Sequence, residues 1–189
     1  MGWRKNKLRA KMAREIEVHE EGKGCRHMVK WIKVTHDHYI GFFALGLALF
    51  VLQELPYIIM PFLALSANPL MEMQDKSWLL NAAEKILGVS SIVAMLFFVR
   101  GDAKWFSLDT PAEKRFFGVA MLAILLYFTG WLFYFNGFQS LPLMLCLLVA
   151  MPPIYYASIG LWRKNYLLSV LGGLFLLAHL ANVWHNLAQ

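Results

Sequence analysis

The sequence contains few cysteines and few charged residues, and both shortages narrow the class of protein. Its two cysteines, Cys25 and Cys146, are far apart and form no CxxC pair, which argues against a disulfide framework or a zinc motif. Charged residues make up 16% of the 189 positions, hydrophobic residues make up 59%, and the mean hydropathy is +0.50. An ordinary soluble domain carries about 25% charged residues. This composition predicts a polytopic membrane protein.

Motifs of several membrane enzymes are also missing. The chain has no CxxC for quinone-linked disulfide chemistry, no HExxH for an intramembrane metalloprotease, no Walker A loop and no serine nucleophile signature. It also lacks a secretory signal, because its first apolar run starts near residue 39 and has no small-residue cleavage site. The sequence therefore favours a non-enzymatic function, leaves an enzyme open and identifies no cofactor.

Five apolar runs are each long enough to cross a bilayer. A helix needs about 20 apolar residues to span a hydrocarbon core about 30 Å thick. The predicted spans are about residues 40–63, 78–99, 116–135, 141–161 and 166–186. We predict an all-α integral membrane protein with one five-helix transmembrane domain over residues 39–189. The aromatic cluster that ends the third span, Trp131 to Phe135, is expected to form an interfacial belt.

The segment before the first span is basic. Ten of the 18 Lys and Arg residues precede His38. Within residues 3–18, Leu8, Met12 and Ile16 lie four apart between basic residues, a spacing that predicts an amphipathic helix. We expect residues 1–38 to form a cytosolic or interfacial segment that contacts anionic lipid headgroups, with a solvated tail as the alternative. Because these cations flank a membrane span, they indicate topology and lipid rather than nucleic acid.

The distribution of Lys and Arg orients the spans. Ten lie before the first span, four lie in the loop after the second, and Arg163 and Lys164 follow the fourth. The other loops hold only Lys76, and Lys85 lies within the second span. The positive-inside rule therefore predicts a multi-pass cell-membrane protein whose N-terminus is cytoplasmic and whose C-terminus is outside.

This orientation places the polar residues of the spans in the outer half of the bilayer. Glu54 lies roughly 20 Å from the inner end of the first span at about 1.5 Å per residue. The second span begins outside, and its polar residues occupy the first two turns. The fifth span begins inside, and its polar residues occupy the last turns. The candidate ligand-binding residues are Glu54, Tyr57, Asn81, Glu84, Lys85, His179, Asn182 and His185.

Prolines interrupt two of the predicted spans. Pro56 and Pro61 leave carbonyls unpaired beside Glu54, and Pro152 with Pro153 does the same in the fourth span. Such carbonyls need partners in protein or in cavity water. The fourth span is therefore a candidate for a kink.

Two interpretations of the polar layer are open. In the functional one, the polar groups line a cavity open to the outer side and bind a ligand, an ion or a proton. In the structural one, Lys85 pairs with Glu84 or Glu54, and the His and Asn side chains join helices through hydrogen bonds. Glu54, Glu84 and His179 offer metal-ligand chemistry, but they are spread over three helices without a motif, so no metal site is predicted.

Three functions follow from these interpretations. The first is binding or transport of a small polar or cationic solute, an ion or a proton, for which five spans suggest a homodimer or a membrane partner. The second is an accessory or regulatory subunit whose polar layer is structural. The third is a membrane enzyme acting on a lipid or apolar substrate, with Glu54 or Glu84 as the base.

Overall fold

The computed structural model of the chain describes residues 28–63, 65, 67–101 and 104–187. The predicted amphipathic helix over residues 3–18 lies outside the described residues, as does most of the basic segment over residues 1–38. The contact between that segment and anionic lipid therefore stays a prediction.

Within the described residues, five helices are long and apolar enough to cross a membrane, which confirms the predicted helical membrane architecture. Helix α1 spans Ala44–Ile59 and continues as a 3₁₀ turn over Met60–Phe62. The others are α2 (Trp78–Phe97), α3 (Pro111–Phe135), α4 (Leu141–Trp162) and α5 (Tyr166–Leu187). Helix α4 packs against α3 on one side and α5 on the other, and α2 packs against α5.

The prediction of an all-α chain requires one correction, because a small antiparallel sheet precedes α1 and follows α2. Its strands are β1 (Met28–Lys33), β2 (His38–Phe43) and β3 (Phe98–Arg100), in the order β1-β2-β3. The segments are rich in Val, Ile, Phe and Tyr, which favour strands over helix. At Gly41 a side chain would collide with the Val29 carbonyl, 2.1 Å from the expected Cβ, so glycine permits the close approach of β1 and β2.

The sheet shortens the first span at its N-terminal end. The sequence predicts a helix from about residue 40, but residues 38–43 pair with β1 and β3 as a strand. Helix α1 therefore begins at Ala44, and Glu54 lies about 15 Å along it rather than roughly 20 Å. Glu54 is accordingly close to the middle of the first span.

Helix α3 begins earlier than residue 116, the predicted start of the third span. Thr110 and Glu113 form a capping box, in which the Thr110 hydroxyl accepts from the Glu113 N–H at 3.2 Å. The Glu113 carboxylate in turn accepts from the Thr110 N–H at 3.4 Å. These two bonds satisfy N–H groups that the first helical turn leaves unpaired. The helix start therefore lies at Pro111.

Helix α4 carries a π-helical segment over Met144–Val149, directly before Pro152 and Pro153. The Ala150 N–H bonds to the Leu145 carbonyl at 3.0 Å, five residues back. Because neither proline can donate a backbone hydrogen bond, the regular ladder is broken where the sequence suggested a kink. The irregularity lies in the best buried of the five helices.

Trp131 and Tyr134, in the aromatic cluster at the end of α3, form part of the core rather than an interfacial belt. Trp131 is 1% exposed and Tyr134 is 0% exposed. Tyr127, Tyr155 and Tyr156 pack in the same core, between α3 and its neighbours. The aromatic-belt prediction is wrong for Trp131 and Tyr134, because the packed face of α3 includes both side chains.

Candidate functional site

A cavity of about 130 Å³ lies where α1, α2, α4 and α5 meet. By this measure a single water needs on the order of 10 Å³, so the cavity has room for a small solute or several waters. Its walls are lined by Gln53, Glu54, Tyr57, Gly88, Ile92, Pro152, Tyr156, Phe175 and His179. Three of the eight predicted ligand-binding residues, Glu54, Tyr57 and His179, therefore share this space.

Helix α1 contributes the acidic wall of the cavity. Glu54 and Tyr57 are three residues apart and lie on the same face of α1, with Pro56 between them in the sequence. Glu54 is partly buried, and the Tyr57 ring meets Trp131 edge-on, with 5.0 Å between ring centroids. The packing against Trp131 fixes Tyr57 in place beside the carboxylate.

Gln53 connects this wall to α3 and α4. Its side chain is 3% exposed, and its carbonyl oxygen accepts a hydrogen bond from the Tyr156 hydroxyl. Its amide lies 3.5 Å from the Tyr127 hydroxyl and donates to it. A buried amide with partners on two helices holds α1 in register against the core.

Aromatic rings form the opposite wall. Tyr156 of α4 stacks with Phe175 of α5 at a centroid distance of 6.5 Å, and Phe175 stacks with His179 at 5.0 Å. Gly88 of α2 lies against the Phe175 ring, which would be 3.3 Å from a Cβ at that position. The cavity wall therefore combines a carboxylate on α1 with a row of stacked aromatic rings on α4 and α5.

A second carboxylate lies immediately behind His179. The His179 Nδ1 and the Glu84 Oε1 are 2.8 Å apart, and the Asn182 amide donates to the other oxygen of Glu84. The side chains of His179 and Glu84 are only 15% and 19% exposed. Glu84 can therefore stabilise a protonated His179 imidazole or fix its neutral tautomer.

Further hydrogen bonds continue from this pair to the loop before α2. The Asn186 amide donates to the Asn182 side-chain oxygen at 3.2 Å. The Asn186 side-chain oxygen accepts from the Lys76 N–H at 3.0 Å, and its backbone carbonyl accepts from the Lys76 ammonium at 3.0 Å. We call the chain of Glu84, His179, Asn182, Asn186 and Lys76 the α2–α5 network.

The remaining candidate residues lie outside the cavity. Lys85 and His185 are exposed, and the Asn81 amide donates to Asp75 at 2.6 Å. Within the described residues, Lys85 pairs with neither Glu84 nor Glu54. Glu84 and Lys85 are consecutive, so the helix turns about 100° between them and only Glu84 faces α5. The ion pair on which the structural interpretation depended is therefore not formed.

Six of the nine residues that line the cavity, among them Gln53, Tyr156 and Phe175, are outside the set of predicted ligand-binding residues. Gln53 lies at the same level as Glu54, and its polarity within an apolar run is a detectable signal. Tyr156 and Phe175 carry no such signal, because aromatic residues are common throughout the spans. Their positions depend on how α4 and α5 pack.

The described residues contain no group of three or more His, Cys, Asp and Glu side chains able to hold a metal ion. A cavity lined by a carboxylate and aromatic rings is instead suited to a cation that is bound by charge and by the π-systems. Comparison with known protein families, with curated proteins and with solved structures finds no match for this chain.

Proposed function

We propose that this membrane protein binds a small organic cation in the cavity and exchanges it for a proton, as a transporter or a solute-binding subunit. The observation that carries the proposal is the cavity itself, which is lined by Glu54 and by the rings of Tyr156 and Phe175. Glu54 has no ion pair with Lys85 in the described part of the chain, so its charge is available to a ligand.

The chemistry of the walls favours an ammonium or guanidinium group over other ligands. A carboxylate attracts the positive charge, while the aromatic faces bind the apolar groups that surround it. An anion would meet Glu54 and its neighbour Tyr57 without a compensating cation in the cavity wall. The volume of about 130 Å³ restricts the ligand to a small molecule.

Proton exchange follows from the cost of an isolated charge in the membrane. An ionised carboxylate without a partner is unfavourable at this depth, so we expect Glu54 to hold a proton when the cavity is empty. Entry of a cation displaces that proton.

Five helices are few for a lone alternating-access transporter, so we expect a homodimer or a membrane partner. Helix α1 supports this expectation because it presents a broad apolar surface that includes Val51 at 47% and Ile58 at 52% exposure. Lipid covers part of this surface in a monomer. A second subunit would cover the remainder and enclose the cavity.

Calorimetry of the purified protein in lipid nanodiscs tests the proposal, with methylammonium, tetramethylammonium and guanidinium as probes. We expect at least one probe to bind, and Glu54→Gln to weaken its binding by about tenfold to a hundredfold, because a hydrogen-bonded or ionic contact to a charged group contributes about 1.5–3 kcal/mol. Binding should also weaken as the pH is lowered, since protons then compete for Glu54.

Glu72→Gln is the matched control. Glu72 is an exposed carboxylate in the loop between α1 and α2, outside the cavity, and its removal changes the net charge by the same amount. Binding that is unaffected by Glu54→Gln, or equally affected by both substitutions, would contradict the proposal.

A second candidate function is an accessory subunit in which the polar layer is structural. The α2–α5 network favours it, because Glu84 accepts hydrogen bonds at both oxygens within the protein. In that case Glu54→Gln should leave cation binding unchanged, and substitution of Glu84 should only lower stability.

A further inference from the structure

His179 uses only one of its two ring nitrogens within the described part of the chain. Its Nδ1 lies 2.8 Å from the Glu84 Oε1, and the Asn182 amide donates to the other oxygen of that carboxylate. The Nε2 of His179 has no hydrogen-bond partner among the described residues, and it is not fully buried. Because His179 lines the cavity beside Glu54, this nitrogen is available to a molecule bound there.

Glu84 determines which tautomer of the neutral imidazole is present. An ionised carboxylate only accepts hydrogen bonds, so the hydrogen between the two side chains belongs to the His179 Nδ1. We assign the tautomer from this contact. In a neutral imidazole whose Nδ1 carries the hydrogen, Nε2 has a lone pair and accepts a hydrogen bond. Neutral His179 therefore supplies the cavity wall with an acceptor.

Packing and hydrogen bonding together hold the imidazole in place. The Phe175 ring stacks on it with 5.0 Å between the ring centroids, and Gly88 of α2 leaves room for that ring. Glu84 is itself held at both oxygens, by His179 and by Asn182. A side chain that is already fixed loses little conformational entropy when a ligand binds to it. The acceptor is therefore preorganised.

Two neighbouring donors of the cavity wall are used within the protein. The Tyr156 hydroxyl donates to the Gln53 side-chain oxygen, and the Gln53 amide donates to the Tyr127 hydroxyl at 3.5 Å. Glu54 on α1 and His179 on α5, in contrast, supply acceptors on two different helices. This arrangement suits a ligand with more than one hydrogen-bond donor.

We propose that the cavity selects cations that carry N–H groups, with Glu54 accepting one hydrogen bond and the His179 Nε2 accepting a second. This inference rests on the proposed function, because it names the class of cation that the same site binds. A primary ammonium carries three N–H donors, and the cavity volume of about 130 Å³ keeps a small ligand close to both helices.

A tetraalkylammonium ion carries no N–H group and leaves both acceptors unpaired. A site that is built to bond an N–H group discriminates against an analogue without one, because its buried polar groups then lose their partners. The quaternary ion still experiences the attraction of the carboxylate and of the aromatic rings. We therefore expect it to bind more weakly than a primary ammonium and not to be excluded.

Calorimetry in lipid nanodiscs tests the selectivity with methylammonium and tetramethylammonium as probes. The wild-type protein is compared with His179→Phe, which keeps an aromatic ring beside Phe175 but has no ring nitrogen. His185→Phe is the matched control, because His185 is on the same helix, is exposed and does not line the cavity. Thermal melts of both variants confirm that each is folded before affinities are compared.

We expect the wild-type protein and His185→Phe to bind methylammonium about tenfold more tightly than tetramethylammonium. In His179→Phe this ratio should fall by about tenfold, because a hydrogen bond to a charged group is lost. The two probes differ in size, but that difference is the same in every variant. Unchanged affinity of His179→Phe for tetramethylammonium would show that its cavity is intact.

NMR spectroscopy of the wild-type protein with ¹⁵N-labelled histidine gives a second readout that does not depend on the folding of a variant. The His179 Nε2 resonance, identified through the contact of the imidazole with the Phe175 ring, should shift when methylammonium is added. It should stay in place when tetramethylammonium is added, because only methylammonium can donate to this nitrogen.

The outcomes separate this inference from the proposed function. An affinity ratio that is the same in His179→Phe and in the wild-type protein, or equal shifts of the Nε2 resonance with the two probes, would overturn the selectivity and leave a cation site at Glu54 standing. Equal weakening of both probes in His179→Phe would assign His179 a structural role and also overturn it. Failure of both probes to bind the wild-type protein would overturn the selectivity and the proposed function together.

Discussion

At the scale of single residues, His179 and Glu84 form the closest contact between ionisable side chains within the spanning helices. Their atoms are 2.8 Å apart, and the Asn182 amide completes the hydrogen bonds of the carboxylate. In a low-dielectric environment a carboxylate that loses a partner is left with an unsatisfied charge. His179 therefore contributes to stability as well as to the cavity wall.

Replacing His179 with Ala should lower the free energy of unfolding by about 1–2 kcal/mol, the upper range for hydrogen bonds between membrane helices. His185→Ala on the same helix is the control, because His185 is exposed and its loss should cost less than about 0.5 kcal/mol. Equilibrium unfolding in mixed detergent micelles measures both values. Equal effects of the two substitutions would show that the contact with Glu84 contributes nothing.

The sequence identified part of this site and left part of it undetected. Glu54, Glu84 and His179 were recognisable because polar groups within long apolar runs are rare. The roles of Glu84 and Lys85 could not be separated, because they are adjacent and the rotation of α2 about its axis is set by packing. Tyr156 and Phe175 were undetectable because aromatic residues of the same types are common in the packed core.

At the scale of elements, close backbone contact determines how α5 packs on α4. A Cβ placed at Gly172 would lie 2.8 Å from the Ala157 backbone nitrogen and 3.1 Å from its Cα. Neither atom can move without moving α4. Gly173, one residue later, has no atom within 4 Å of the same position. Gly172 and Gly173 therefore allow a direct comparison between a glycine at a close helix contact and a glycine with free space beside it.

Gly172→Ala should destabilise the protein by about 1–3 kcal/mol, since overpacking forces the helices apart. Gly173→Ala should be neutral or slightly stabilising, because Ala favours the helix by up to about 1 kcal/mol relative to Gly. Thermal unfolding followed by circular dichroism measures the difference. A Gly172→Ala protein as stable as Gly173→Ala would contradict the close approach of α4 and α5.

The start of α3 depends on the cap supplied by Thr110. Thr110→Ala removes the acceptor of the Glu113 N–H and should cost about 1 kcal/mol of stability. Thr129→Ala, at an exposed position on the same helix, is the control because its hydroxyl only bonds back to the Leu125 carbonyl. Chemical unfolding of the two variants measures the stability that each loses. An equal loss of stability in both variants would contradict a capping role for Thr110.

The sequence predicts which segments form helices more accurately than it predicts where those helices begin and end. Five apolar runs of sufficient length predict five helices, and Asp109 to Glu113 contains the helix-start signal that the structure uses. The sheet was not predicted, because residues 38–43 are as apolar as the helix they precede. Only their pairing with residues 28–33 and 98–100 distinguishes them as a strand.

At the scale of the whole molecule, the charge distribution predicts the orientation of the spanning helices. The end of the bundle where α2 and α4 end and α3 begins carries Arg100, Lys104, Lys114, Arg115, Arg163 and Lys164. The opposite end holds Lys76 in the loop before α2. We therefore expect the end that carries these six cations to face the cytoplasm and the loop with Lys76 to face outside.

Cysteine labelling in intact cells tests this orientation. With Cys25 and Cys146 replaced by Ser, a Gln74→Cys protein should react with a membrane-impermeant maleimide added outside. A Lys114→Cys protein should react only after the cells are lysed. The opposite pattern would reverse the topology.

The central claim, that a small organic cation occupies the cavity beside Glu54, is tested most directly by anomalous diffraction. Crystals grown in a lipid phase with tetramethylarsonium, the arsenic analogue of tetramethylammonium, would be measured at the arsenic absorption edge. The account predicts an anomalous peak between Glu54 and the rings of Tyr156 and Phe175, and its loss in Glu54→Gln crystals. A cavity without a peak, with Glu54 turned towards Lys85 in an ion pair, would contradict the account and make the polar layer structural.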